Sequence, residues 1–326
     1  MQKTSDVYET LYHYTTWSGL LGILKTQTLW ATHYRFLNDY SEIALFRNKL
    51  VVFLRPYVAE QYRKLVEQSP HLEQQISEEG GMDQIVQHDT EVFVDAQYHA
   101  TRDEIYILSF CGQHSNPHVN DNGLLSQWRG YGASGGFALV LNAYKLEGLL
   151  AAEYEKFEYS TMHLSDVVYS DNESRLKEEL SESLSILASD VKGFFDPAKS
   201  SAEERAAAVK GYTAFVTCIS RYKHCGFSEE NEVRAVVLPA IVNRAYTEWA
   251  QKNSFTLKPE KERKFRHKNG QLVPYTELFG FADMKLPIER IIVGPHKEKE
   301  ARAATLRVML RNTGIEITSS DIPFAE

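Results

Sequence analysis

The stretch ETLYHYTTWSGLLGILKTQTLWATHYRFLNDYSE, Glu9 to Glu42, decides how the rest of the chain is read. Leu11–Thr15 is a β-prone run, and side chains alternate faces along a strand. Tyr12 and Tyr14 therefore share one face, and Leu11, His13 and Thr15 share the other. His13 and Thr15 point together into one space, where an imidazole serves either as a hydrogen-bonded core residue or as a ligand contact. Working outward, Ser18 is the expected N-cap of a short helix to Lys25, and TLWAT, Thr28–Thr32, is a second short strand. Asp39 and Glu42 then form a capping box for a helix beginning near Ser41, with Ile43, Phe46, Leu50 and Phe53 at helical spacing, running to about Arg63. Asn38 is left without a role in that reading.

The remaining elements follow from the same rules. A less regular helical stretch covers roughly 72–98, and strands are expected at Glu104–Gly112 and Gly135–Ala143, with a polar loop between them. Strands at YEKFEY and DVVYS precede a helical stretch from Asn172 to about Cys225, interrupted near Pro197. A strand at Asn231–Ala240 follows, and IERIIVGPHKEKEARAATLRVMLRNTGIEITSS closes the chain as strand, helix, strand, with Gly314 as the helix C-cap. Strands scattered among helices give an α+β class, read as a single domain over 1–326 with a helical insertion at about 172–225.

Composition limits the function. The 326 residues are 43% hydrophobic, enough for a substantial core. A net charge of −8 argues against a protein held generally on nucleic acid, which needs clustered Lys and Arg. One local exception is KNSFTLKPEKERKFRHK, 252–268, a basic run suited to a phosphate-bearing ligand or, more simply, a solvated loop. Leu20–Leu24 is too short to span a membrane, and the first residues show no leader pattern, so a cytoplasmic protein without a membrane partner is expected. The three cysteines match no zinc module or disulfide framework and are expected to be reduced.

Three further groups of residues bear chemistry. In LLSQWRGYGASGGFALVL, Leu124–Leu141, Trp128, Arg129 and Tyr131 supply a stacking face, a guanidinium and a phenol beside glycines that admit close backbone approach. That suits an anionic or planar ligand, although a glycine-rich hairpin with a packed Trp and an exposed Arg has the same sequence. In SEENEVRAVVLP, Glu230, Glu232 and Arg234 alternate and would project to one face, as a tuned carboxylate pair or as a salt-bridged strand edge. His114 and His118, with Asp121, have a metal-like spacing, but HSNPHVND is not expected to be helical because of Pro117, and no metal is expected.

Taken together, LYHYTTWSGLLGILKTQTLWATHYRFLNDYSE, LLSQWRGYG, FSEENEVRAVV, PYTELF and IERIIVGP resemble the bacterial domain-of-unknown-function family twenty-nine seventy-one, from about Leu11 to Pro323. More distantly, YHYTT, the short helix and LWAT are similar to the first strand-helix-strand unit of ADP-ribosyltransferases, including the DNA-modifying toxin type. That resemblance implies a mixed or antiparallel sheet core of ADP-ribosyltransferase-like type with helical insertions, and NAD as the substrate. It implies that His13 and Thr15 hold the nicotinamide-ribose, that Glu232 stabilises the developing oxocarbenium charge, and that Glu230 is the other carboxylate. Tyr34 or Tyr131 would stack on the nicotinamide, and Arg129 would suit the pyrophosphate. Tyr14 departs from the pattern, standing where many members have glycine. The function implied is transfer of ADP-ribose to a protein or nucleic-acid acceptor, or NAD hydrolysis, in a toxin or phage-defence setting. Two alternatives stay open: a nucleotide-binding module without this chemistry, and a metal-dependent nuclease using Glu230 and Glu232.

Overall fold

Thr16, rather than Ser18, starts the first helix: its hydroxyl accepts the Gly19 N–H at 3.2 Å. The computed structural model describes residues 3–37, 40–101, 104–131, 135–170, 172–194, 201–268, 270–281 and 284–323, with the backbone alone at 40–44, 70, 100–101, 194 and 201–210. Asn38, Asp39 and the Glu42 side chain, and with them the expected capping box, lie outside that description. In chain order, β1 (Thr10–Thr15), α1 (Trp17–Thr26) and β2 (Thr28–His33) lead to α2 (Tyr40–Gln68), α3 (Pro70–Glu78) and α4 (Met82–Thr101). Next come β3 (Tyr106–Gly112), α5 (Pro117–Asn122), α6 (Leu125–Tyr131), β4 (Phe137–Asn142), α7 (Ala143–Lys156), β5 (Tyr159–Asp166) and β6 (Val168–Tyr169). Helices α8 (Glu173–Glu179), α9 (Ser181–Phe194) and α10 (Ser201–Arg221) precede β7 (Tyr222–Lys223) and β8 (Glu232–Pro239). The chain ends with α11 (Arg244–Lys252), β9 (Lys264–Lys268), β10 (Gln271–Phe279), β11 (Ile288–Val293), α12 (Lys299–Met309) and β12 (Glu316–Ser319).

Several expectations are corrected. Pro117 does not prevent a helix, because it stands in the first turn of α5, where a missing N–H costs nothing. The polar loop before β4 thus carries two short helices, one of which contains Trp128. The run YEKFEY is not a strand. Its first half completes α7, which Asn142 caps by accepting the Lys145 N–H at 3.0 Å and which buries Leu146, Leu149 and Leu150. The basic run is not a free loop, since its end forms β9. Gly314 lies beyond the end of α12 in the turn before β12, with φ 75°, and the C-cap itself is Leu310.

The fold is mixed α and β, with twelve α-helices among the described residues, and it divides into two compact units. The helical unit joins Leu37–Ile105 to Val168–Cys225, so the helices at 172–225 group with α2 to α4. It is held by a core of Val58, Tyr62, Ile76, Val86 and Val191, by the Arg47–Asp95 ion pair at 2.6 Å, and by the parallel pair β6–β7.

The sheet unit comprises Gln2–Phe36, Tyr106–Val167 and Gly226–Glu326. Its ten-stranded sheet runs β12-β11-β4-β1-β3-β2-β10-β9, with β8 on β3 and β5 on β8. All its pairings are antiparallel except β11–β12. One face, built from Leu11, Phe110, Leu139, Val233 and Ile291, buries against Leu20 and Ile23 of α1, Leu146 of α7 and Leu306 of α12. The other carries a smaller cluster of Tyr12, Tyr14, Cys111, Trp128 and Val140. The alternation expected of β1 is therefore observed.

Candidate functional site

Strand β3 accepts two neighbours along a single edge. β1 pairs with its end, at Cys111 and Gly112, and β2 pairs with its start, at Tyr106 and Ile107. β8 occupies the other edge along Tyr106–Cys111. Between the two splayed strands, Leu108, Ser109 and Phe110 have no ladder partner on that edge, and His13 fills the opening. Its Nδ1 lies 3.1 Å from the Ser109 carbonyl, and its ring meets Phe110 edge-on at 5.8 Å.

This contact sets the chemistry of the ring. A carbonyl oxygen only accepts, so Nδ1 carries the hydrogen and Nε2 presents a lone pair. Burial lowers the His13 pKa, outweighing the Ser109 bond that raises it, so the ring is neutral near pH 7. His13 as a residue is half-buried, and Nε2 has no protein partner among the described residues. Thr15 lies on the same face, half-buried, with its hydroxyl packed on Gly19, where a side chain would collide with it. Across the opening, His33 packs against Tyr106 at 5.5 Å and Tyr34 at 5.0 Å. Tyr34 is buried, and its hydroxyl accepts Arg35 Nε at 3.2 Å.

The carboxylates stand elsewhere. Glu232 is opposite Cys111, and Cys111 is opposite Tyr12, so Glu232 projects to the face of Tyr12 and away from His13. Its two oxygens receive Nε and Nη2 of Arg234 at 2.9 and 3.0 Å, both residues being buried. Glu230 does not alternate with Glu232, as it ends a 3-10 turn, Cys225–Glu230. Asn231 then takes φ 44° and breaks the extended geometry. Asn231 is anchored in that conformation by the Tyr8 hydroxyl at 3.2 Å and the Gln113 carbonyl at 3.1 Å. The shared face expected of Glu230, Glu232 and Arg234 thus reduces to Glu232 and Arg234.

Trp128 offers no stacking face. It is buried, donates Nε1–H to the Asn122 carbonyl at 2.9 Å, and stands edge-on to Tyr14 at 4.8 Å. Gly123 and Gly294 make room for its ring, and Gly135 makes room for His296 and Arg302, so protein already fills the space beside these glycines. Arg129 and Tyr131 lie exposed at the end of α6, and Trp128, on the same helix, packs on the sheet face opposite His13. Tyr14 packs in the same cluster: its hydroxyl accepts the Leu124 N–H at 2.8 Å, and burial raises its pKa. The structure brings His13 and Thr15 together and separates them from Glu232 and Trp128.

Among the described residues, no group of three or more His, Cys, Asp or Glu side chains could hold a metal ion. His118 faces Asn122, and Asp121 pairs with Arg290 at 3.3 Å. The cysteines form no disulfide, and burial pushes the Cys218 thiol up to about 12. Among the described residues, no helix is long and apolar enough to cross a membrane.

What the sequence analysis did not find is the splaying of β1 and β2. It is a tertiary feature with no local signature beyond the short helix between them.

Comparison with known proteins gives a family match over part of the chain. Residues 127–235 match the family Protein of unknown function (DUF2971). The resemblance inferred from the motifs is thereby shown over this stretch. The DUF2971 match runs from α6 into β8 and includes Trp128, Arg129, Glu230, Glu232 and Arg234, while His13, PYTELF and IERIIVGP lie outside it. Neither a curated protein nor a solved structure gives a significant match to the chain.

Proposed function

We propose that the sheet unit binds a nucleotide, NAD in the first instance, beside His13, which closes the opening between β1 and β2. The observation that supports this most is the fixed tautomer of His13, whose Nδ1–H is spent on Ser109 and whose Nε2 is left as an acceptor. A ribose hydroxyl is the matching donor, and Thr15 on the same face adds a second polar group. The choice of NAD rests on the resemblance of the opening strand-helix-strand unit to ADP-ribosyltransferases.

Binding without ADP-ribose transfer is the reading the geometry favours. Transfer needs a carboxylate beside the ribose to stabilise the charge that builds as nicotinamide departs. Glu232 faces the other side of the sheet and is held by Arg234. Calorimetric titration of the intact chain with NAD, alongside an assay for released nicotinamide, tests the reading. The expected result is saturable NAD binding, lost in His13→Ala, with no nicotinamide released. Nicotinamide release that Glu232→Gln abolishes without unfolding the chain would reinstate the transferase reading.

A further inference from the structure

The basic run is mostly neutralised by the fold. Lys258, Lys261, Arg263 and Lys264 pair with Glu155, Glu153, Glu260 and Glu277 respectively. Arg266 and Lys268, on the outermost strand β9, have no carboxylate partner among the described residues. They alternate with His267 and so project to one face, about 6.6 Å apart along the strand.

Arg266 is held in an uncommon setting. Its guanidinium lies 5.0 Å from the Trp30 ring and 5.7 Å from the Tyr275 ring, and Nη2 donates to the Thr32 hydroxyl at 3.1 Å. Nε is buried without a hydrogen-bond partner. The Trp30 and Tyr275 rings pack at a tilt with centroids 4.4 Å apart, yet Trp30 remains 40% exposed. Trp30 and Thr32 alternate with Ala31 and His33, so this aromatic and cationic surface lies on the sheet face opposite His13.

We propose that Trp30, Arg266 and Lys268 form a binding surface for single-stranded nucleic acid. A base packs on the exposed part of Trp30, and the adjoining phosphates meet the guanidinium of Arg266 and the ammonium of Lys268. A stacking ring beside two unneutralised cations matches the alternation of base and phosphate along one strand. The lysines also blunt the edge of β9 against pairing with another acceptor strand, which favours a polyanion over a second copy of this chain. The surface does not depend on nucleotide binding at His13.

The test is fluorescence anisotropy of the full chain with labelled oligo-dT and oligo-rU at about 50 mM salt, without NAD. Binding to either oligomer is expected, with a log–log salt slope of about −1 to −2, the value for roughly two phosphate contacts on a single strand. Trp30→Ala should weaken it roughly 5- to 100-fold and Arg266→Ala about 10-fold or more, while Trp30→Phe retains most of the affinity. Circular dichroism melts of each variant separate lost binding from lost folding, and Trp30→Phe serves if Trp30→Ala unfolds. Absence of oligomer binding would overturn the proposal. So would binding that Trp30→Ala leaves unchanged and inorganic polyphosphate competes away at equal phosphate concentration, since charge alone would then suffice.

Discussion

His13 and Glu232 project from opposite faces of the sheet, related through Tyr12 and Cys111, which stand in register between them. A single ribose cannot touch both. The histidine closes a gap between two splayed strands, and the glutamate is half of a buried ion pair with its strand neighbour.

Glu232 is accordingly a stability residue. Glu232→Ala leaves Arg234 buried without this partner and should cost about 3–5 kcal/mol in chemical denaturation. Replacing both residues with apolar side chains of similar volume should recover most of that loss. NAD affinity measured on the folded fraction should not change. An unaltered denaturation midpoint for Glu232→Ala would contradict the assignment.

The neutral His13 ring predicts a pH profile. Its pKa is held below the ordinary 6.5, so the acceptor form persists as pH falls through that value. NAD affinity should stay level from about pH 8 to about 6.5 and decline only below it. Stability follows the same sign: the unfolded chain takes up the proton first, so the folded state loses stability as pH drops from about 6.5 toward the lowered pKa. Affinity that rises on acidification would mean that the imidazolium, as a donor, is the binding form.

The residues of α6 should behave oppositely to one another. Trp128→Ala empties a site enclosed by Tyr14, Gly123 and Gly294 and should cost about 3–5 kcal/mol. Arg129→Lys, at an exposed position, should shift stability by no more than about 0.5 kcal/mol and leave NAD affinity unchanged. A fall in NAD affinity for Arg129→Lys at constant melting temperature would place the pyrophosphate at this helix end.

Much of the fold was legible because local rules decided it. The alternation of β1 follows from TLYHYT, and the closing strand, helix, strand follows from its own periodicity. The site was less legible for two reasons. Asn231 in a left-handed conformation shifts Glu230 off the strand, and Asn tolerates that conformation without announcing it. Trp128 beside a glycine-rich run looks like a ligand loop, yet the space at Gly135 is filled by His296 and Arg302, and the Trp128 ring itself lies against Gly123 and Gly294. Whether glycine admits a ligand or a neighbouring side chain is a tertiary question. α7 was missed although Asn142 and the spacing of Leu146, Leu149 and Leu150 mark it, because the aromatic run at its end favours strand.

A buried charge in the sheet unit gives a separate test of the core. Glu153 is fully buried and accepts from Tyr159 at 2.7 Å, Lys261 at 2.6 Å and the Phe279 N–H at 2.9 Å. Lys261 is itself buried over the Phe157 ring at 4.1 Å, and desolvation lowers its pKa despite Glu153. Glu153→Ala strands that ammonium and should cost about 3–5 kcal/mol by urea denaturation. Lys261→Met in the same background should restore part of the loss. Equal stability of the Glu153→Ala variant and the double variant would show that the stranded ammonium is not the source of the loss.

The most direct test of the account is the nitrogen-15 spectrum of the His13 ring, recorded with and without NAD. The account predicts a neutral ring protonated at Nδ1, with an Nε2 resonance that moves on addition of NAD as its lone pair accepts a hydroxyl hydrogen. A ring protonated at Nε2 in the free protein, or an Nε2 resonance unmoved while NAD demonstrably binds, would contradict it.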